Sequence, residues 1–176
     1  DGVIDPARLA TGKTGNILEI GFGSGEHLIA QATRHPQTLY IGIEPFINGV
    51  AKTLAAFEDG ALSNIRLHRG DARDVLPRFA DACFDRIFLL FPDPWHKKKH
   101  HKRRIVQPDF VQLLRKKLKP GGRFHMATDW QHYAEHMLEV MNAAEGFTNT
   151  SVSNDYVERP ASRPLTKFEQ RGHRLG

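Results

Sequence analysis

The chain has 176 residues and a mass of 19.9 kDa, a size that suits one domain. Its composition, 40% hydrophobic and 26% charged, is that of a globular protein able to bury a core, which excludes a disordered or collagen-like chain. The longest apolar run, Ile87 to Phe91, is far shorter than the ~20 residues of a membrane-spanning helix, and the lone Cys83 excludes an intrachain disulfide or a cysteine-built zinc site. No basic and apolar leader opens the chain at Asp1, and a reducing cytosol is the expected compartment. The net charge of +5 is local. Lys97, Lys98, Lys99, Lys102, Arg103 and Arg104 lie in one short run, and the remainder is nearly neutral. Such a concentration of cations attracts polyanions.

Asn16 to Gly25 reads as a buried strand, a glycine turn and the start of a helix. Leu39 to Glu44 is a second strand, followed by a helix whose apolar face is Ile47, Val50, Ala51 and Leu54. Ile65 to Arg69 alternates with period two, and Arg86 to Phe91 is densely apolar. Pro108 opens a helix with Phe110, Leu113, Leu114 and Leu118 inward, which Pro120-Gly121-Gly122 closes. Arg123 to Thr128 is the next strand. A helix carrying Trp130, Tyr133, Ala134, Met137, Leu138 and Met141 on one face follows, capped by Thr128 or Asp129. Asn154 to Gly176 is polar and lacks a closing apolar strand. Strands alternating with helices predict an α/β fold, a mostly parallel doubly wound sheet with helices on both faces and a ligand crevice at the carboxyl ends of its strands.

The residues at those ends carry the chemistry. Gly21-Phe22-Gly23-Ser24-Gly25 allows a tight turn and a close backbone approach to a ligand, but Glu26 stands where a dinucleotide fingerprint has its third glycine. A carboxylate at that helix start repels a pyrophosphate, which argues against a nicotinamide dehydrogenase. Glu19, Glu44, Asp71 and Asp93 fall in or after successive strands. Glu44 lies about 20 residues past the turn, at the distance of a ribose contact. An acidic edge suits an adenosine-bearing cation without phosphate, and S-adenosylmethionine has those properties. The fourth strand then runs into Phe91-Pro92-Asp93-Pro94-Trp95 and the basic run, a pattern that suits a nucleic acid strand. His96, His100 and His101 sit amid too much positive charge for a cation site, so no metal is expected. Asp129 reads as a helix cap that is also free to touch a ligand. Thr166-Lys167-Phe168-Glu169 reads, from spacing alone, as a polar loop. Cys83 reads as a small core residue.

Leu18 to Gly25, Gly42-Ile43-Glu44, Gly70-Asp71-Ala72, Phe91 to Lys97, His101 to Arg104, Ala127-Thr128-Asp129 and Thr166 to Glu169 together resemble the bacterial tRNA (guanine-N7-)-methyltransferases of the class I S-adenosylmethionine-dependent fold. The resemblance implies a Rossmann-like domain that takes S-adenosylmethionine as cofactor and tRNA as partner, and methylates N7 of the variable-loop guanine, position 46. It implies Glu19, Gly21, Gly23, Glu44, Asp71 and Asp93 as cofactor-site residues, with Asp93 catalytic. Lys97, Asp129, Thr166, Lys167, Phe168 and Glu169 are implied as substrate-site residues, and Lys99, His100, His101, Lys102, Arg103 and Arg104 as RNA contacts. A cytoplasmic monomer or homodimer without membrane or metal is expected. Members of that family usually carry a longer N-terminal segment and a last apolar strand, so residues 1–176 are read as one methyltransferase domain, and whether its native ends lie outside this stretch is left open. Competing readings are a methyltransferase for another RNA, base or protein, and an inactive RNA-binding module.

Overall fold

The computed structural model describes residues 2–57 and 62–175. Five strands, β1 (Gly15–Ile20), β2 (Thr38–Glu44), β3 (Ile65–Arg69), β4 (Phe84–Leu90) and β5 (Leu118–Ala127), form a sheet in the order β3-β2-β1-β4-β5. Every neighbouring pair is parallel. The helices are α1 (Pro6–Leu9), α2 (Glu26–Arg34), α3 (Ile47–Ala55), α4 (Ala72–Val75), α5 (Pro108–Lys117), α6 (Gln131–Ala143) and α7 (Lys167–Leu175).

Parallel strands are covered on both faces, which is why β2 and β4 read as nearly unbroken apolar runs. The register sets Leu18 beside Ile41 and Ile87, and these residues share one face with Ile20, Ile43 and Leu89. Phe110, Val111 and Leu114 of α5, Tyr133, Met137 and Val140 of α6, and Ala72 and Val75 of α4 close over that face. On the other face, Tyr40 and Ile65 pack with Leu28 and Ala32 of α2 and Val50 of α3 in a smaller core.

Three local expectations give way to tertiary contacts. In α3 the inward face is Val50 and Thr53, while Ile47 and Leu54 are exposed. A Cβ on Gly49 would lie 2.4 Å from the Gly23 carbonyl oxygen, so the fit of α3 against the glycine turn sets its rotation. Pro120-Gly121-Gly122 does not follow a helix that includes Leu118. The helix ends at Lys117, and the three residues form the irregular first half of β5, where the register with β4 shifts between Phe84 and Arg86. Thr166 to Glu169 is no loop but the start of α7.

Lys117 is buried and its ammonium is saturated: Nζ donates to the Phe79 carbonyl at 2.6 Å and to Asp81 Oδ1 at 2.7 Å. Cys83 lies in the core, and burial pushes its thiol up to about 11, which keeps it protonated and inert. Leu114 is fully buried between α5 and the sheet, whereas Leu113 is only partly buried. Leu114→Ala should therefore cost ~2–5 kcal/mol in urea unfolding, and Leu113→Ala clearly less. Equal losses would contradict the inward face assigned to α5.

Candidate active site

The strand order reverses between β1 and β4, and a doubly wound sheet opens its ligand crevice outside the carboxyl ends at such a point. Three backbone bonds knit that edge together: Gly21 N–H donates to the Ile43 carbonyl at 2.7 Å, Gly70 N–H to that of Glu44 at 3.1 Å and Phe91 N–H to that of Ala127 at 2.8 Å. Gly21 and Gly23 have φ of +71° and +55°, a left-handed conformation that a Cβ penalises. A Cβ built at either one would meet no protein atom within 4 Å. Backbone conformation, not packing, demands glycine here, and the space above the turn is open to a ligand.

Glu44 ends β2 only 4% exposed. Its Oε2 accepts from Gly23 N–H at 2.8 Å and its Oε1 from Phe46 N–H at 2.9 Å, so one carboxylate braces the glycine turn and the entry to α3. Each oxygen keeps a second lone pair for a donor such as a ribose hydroxyl. Glu19 is buried near the end of β1, with Oε2 2.7 Å from Nδ1 of His27 in the first turn of α2. The His27 ring meets Phe88 edge-on at 4.6 Å, and Phe88 lies 5.3 Å from His125. Burial, with the charges of Arg163, Arg86 and His27, lowers the His125 imidazole to about 4, so it is neutral at physiological pH. Asp71 caps α4 by accepting from Arg73 N–H at 2.8 Å, and its pairing with the Arg73 guanidinium holds the carboxyl below the usual range.

Asp93 is exposed, and its carboxylate makes no hydrogen bond among the described residues. Its position is set by the backbone. Phe91 and Trp95, with φ of +52° and +48°, flank Pro92-Asp93-Pro94, and each such conformation in a bulky residue costs about 1–3 kcal/mol. The chain then forms a 3-10 turn over Lys98–Arg103, in which the Arg103 guanidinium lies 5.0 Å from the Trp95 ring centroid. Lys97, Lys98, Lys99, Lys102 and Arg103 are exposed, with His100 and His101 partly so.

Arg104 departs from the run. It is 1% exposed, donates through Nε to the Pro94 carbonyl at 2.7 Å, lies 4.7 Å from the Tyr133 ring centroid and has Nη2 3.2 Å from His132 Nδ1. Read from sequence as an RNA contact, Arg104 instead holds the Asp93 loop onto α6. Its cation is spent on a carbonyl and an aromatic face, leaving no surface for a phosphate.

Asp129 follows β5 exposed and without a hydrogen bond from its carboxylate among the described residues. Neither Thr128 nor Asp129 caps α6: its N-cap residue is Trp130, without a side-chain cap bond, and Thr128 Oγ1 accepts from Trp130 N–H at 3.2 Å in the turn before the helix. Thr166 Oγ1 accepts from Glu169 N–H at 3.3 Å, the first half of a Thr-x-x-Glu capping box at the start of α7. Lys167 N–H donates to the Glu26 carboxylate at 2.9 Å. The carboxylate that disfavours a pyrophosphate thus also anchors α7 to the start of α2. Glu169 turns inward and takes Nη1 and Nη2 of the buried Arg163 at 2.8 and 2.6 Å. Arg163 in turn lies 5.6 Å from the Phe91 ring, beside which Phe168 sits at 5.4 Å. The structure therefore brings Thr166 to Glu169 against the base of the Asp93 loop. Arg163 and His27 carry no sequence signal of their own, although the Thr-x-x-Glu spacing marks a capping box.

Among the described residues, no group of three or more His, Cys, Asp and Glu side chains lies placed to hold a metal ion. None of their helices is long and apolar enough to cross a membrane.

Residues 13–176 match the model of a family described as "Putative methyltransferase". The chain is 53% identical over 177 residues to a tRNA (guanine-N(7)-)-methyltransferase of Pseudoalteromonas translucida, covering all of this chain and 73% of that protein. It is 56% identical over 161 residues to the protein of the same name from Pseudoalteromonas atlantica, covering 91% of this chain and 67% of that one. In fold it resembles the solved structure of precorrin-6y C5,15-methyltransferase from Geobacter metallireducens, with a TM-score of 0.59 at 14% identity, over 78% of this chain and 65% of that one.

The buried Arg163–Glu169 pair gives a direct test of how α7 is held. Arg163→Ala strands the Glu169 carboxylate, a loss of about 3 kcal/mol, and should speed tryptic cleavage after Arg171 or Arg174 roughly tenfold or more. Arg163→Ala combined with Glu169→Gln removes the stranded charge and should be cut more slowly than the single variant. Unchanged cleavage of Arg163→Ala would show that the pair does not secure the helix.

Proposed function

The chain belongs to the tRNA (guanine-N(7)-)-methyltransferase family, and on that premise we propose that it transfers the methyl group of S-adenosylmethionine to N7 of the variable-loop guanine, position 46, of tRNA. The observation that carries this reading is the meeting of an acidic, glycine-floored crevice with a strained loop that leads from Asp93 directly into an exposed cationic turn. The crevice fits the cofactor, because the turn is open above Gly21 and Gly23 and the carboxylates around it favour a ribose and a positive charge over a pyrophosphate. Bound there, S-adenosylmethionine supplies an electrophilic methyl group on its sulfonium.

Each protein group then has a defined task. Glu44, held rigid by two amide N–H groups, accepts from the ribose hydroxyls, while Glu19 and Asp71 provide the remaining acidic contacts. Guanine N7 already carries a lone pair, so no strong base is needed. The protein has to orient the purine in line with the methyl group and stabilise the positive charge that develops on it. Asp93, unpaired among the described residues and fixed by its flanking prolines, either faces that charge or holds the purine amino group. Lys97, Asp129, Lys167 and Phe168 flank the entering nucleotide, with Thr166 capping α7 and Glu169 holding Arg163 behind them, and Lys99, His100, His101, Lys102 and Arg103 meet the tRNA backbone. A tRNA substrate and a single buried thiol suit the cytoplasm.

Labelled methyl from S-adenosylmethionine should enter tRNA bearing guanine 46 and not the same tRNA with that guanine replaced, and chemical cleavage should map the label to that position. Label in both would move the target, and none in either would leave an RNA-binding module. Asp93→Asn should slow single-turnover transfer by roughly 10²-fold at saturating tRNA while cofactor binding persists, and unchanged turnover would remove Asp93 from the mechanism. Neutralising Lys99, Lys102 and Arg103 should weaken tRNA binding and lower the slope of log K against log salt by up to about 3, one for each phosphate no longer neutralised. An unaltered slope would take the turn out of the RNA interface.

A further inference from the structure

We propose that Trp130 and His96 form a stacking step for one unpaired nucleobase of the bound tRNA, separate from the target guanine and from the phosphates held by the basic turn. The inference rests on the tRNA reading above. Trp130 is 41% exposed at the start of α6, a position where a ring of this size gains little from burial. Its backbone carbonyl receives the N–H groups of Tyr133 and Ala134, but its indole belongs to neither apolar core. The indole instead meets the exposed His96 ring at 4.3 Å and 80°, so the two rings stand as the tread and riser of a step. A base lying on one ring would present its edge to the other.

The surroundings choose a base over a phosphate. Trp130, Gln131, His132 and Glu135 line a groove of about 350 Å³ along the first turn of α6. Gln131 Nε2 donates to Glu135 Oε1 at 3.0 Å and His132 Nδ1 faces Arg104, which leaves acceptors at the Gln131 amide oxygen and the second Glu135 oxygen, and donors at the second Gln131 amide proton and His132 Nε2. Acceptors and donors together match the mixed hydrogen-bonding edge of a base, and the Glu135 carboxylate repels a phosphate. Phosphate charge is met one step along the chain, at Lys97, Lys98 and Lys99, which immediately follow His96. Asp129, directly before Trp130, keeps the step beside the residues read as contacting the substrate. Single-stranded loops of RNA are recognised by this pairing of an aromatic face with hydrogen-bonding edges.

The test uses the whole chain and an unmodified tRNA transcript, with binding measured over a range of salt concentrations. Trp130→Ala should weaken tRNA binding by about 5- to 150-fold, by a constant factor at every salt concentration, because stacking releases no counterions. Trp130→Phe keeps an aromatic face and should recover most of the loss, and His96→Ala should weaken binding by a smaller factor with the same unaltered slope. S-adenosylmethionine affinity should be that of the wild type in all three, which also reports that each is folded. Wild-type affinity in Trp130→Ala, or Phe at 130 binding no better than Ala, would overturn the stacking step. Failure of the wild-type chain itself to bind tRNA would instead overturn the functional reading on which the step rests.

Discussion

A buried carboxylate that accepts two backbone amides holds the crevice in shape. Glu44 binds the N–H groups of Gly23 and Phe46, and by doing so joins the turn after β1 to the turn after β2. A charge so nearly removed from water is tolerated only when it is well hydrogen-bonded, so the glycine turn and the entry to α3 are fixed relative to each other. The close packing of Gly49 on the Gly23 carbonyl follows, as does the rotation of α3 that leaves Ile47 and Leu54 in solvent. The glycines above this brace have positive φ and open space over them, which is the geometry a ligand needs to approach the backbone.

The second organising feature is the segregation of charge across one loop. Glu19, Glu44 and Asp71 sit at the strand ends, while the cations of the 3-10 turn stand outside them, and the Asp93 loop joins the two regions. That loop carries two bulky residues with positive φ and would relax unless clamped. Arg104 clamps it from the α6 side through the Pro94 carbonyl and the Tyr133 ring, and Arg163 from the α7 side through Phe91. Two arginines thus serve as fasteners near a surface where Lys97, Lys98, Lys99, Lys102 and Arg103 stand exposed. The distinction lies in burial: Arg104 is committed to Pro94 and His132, and Arg163 gives Nη1 and Nη2 to Glu169, although its Nε has no partner among the described residues.

Much of this was legible in the chain because it depends on near neighbours in sequence. The apolar runs of β2 and β4, the glycine turn and the acid about 20 residues beyond it are local patterns, and they sufficed for a parallel doubly wound sheet and the edge where its ligand sits. The resemblance carried by Pro92-Asp93-Pro94-Trp95, the basic run and Thr166 to Glu169 led to the same family as the overall identity to tRNA (guanine-N(7)-)-methyltransferases. Misjudged features were those decided by distant contacts. Periodicity placed Ile47 and Leu54 inward because it measures only which residues share a side of a helix. It contains nothing about how closely Gly49 of that helix approaches the carbonyl of Gly23, far earlier in the chain.

Residue type and spacing by themselves determined the class of fold and set a glycine turn, four acids and a cationic run at one edge of it, while the family resemblance supplied Lys97 and Thr166 to Glu169 as substrate-site residues. Only the tertiary structure decided what each charge is committed to. Arg104 left the cationic run for a carbonyl and an aromatic ring, Glu26 became the anchor of α7, and Arg163 joined Glu169 to the base of the Asp93 loop. The reason is physical. A side chain's charge and reach are properties of one residue, but its partner is set by burial and by the distance to groups that folding brings near, and neither exists until the strands and helices have packed.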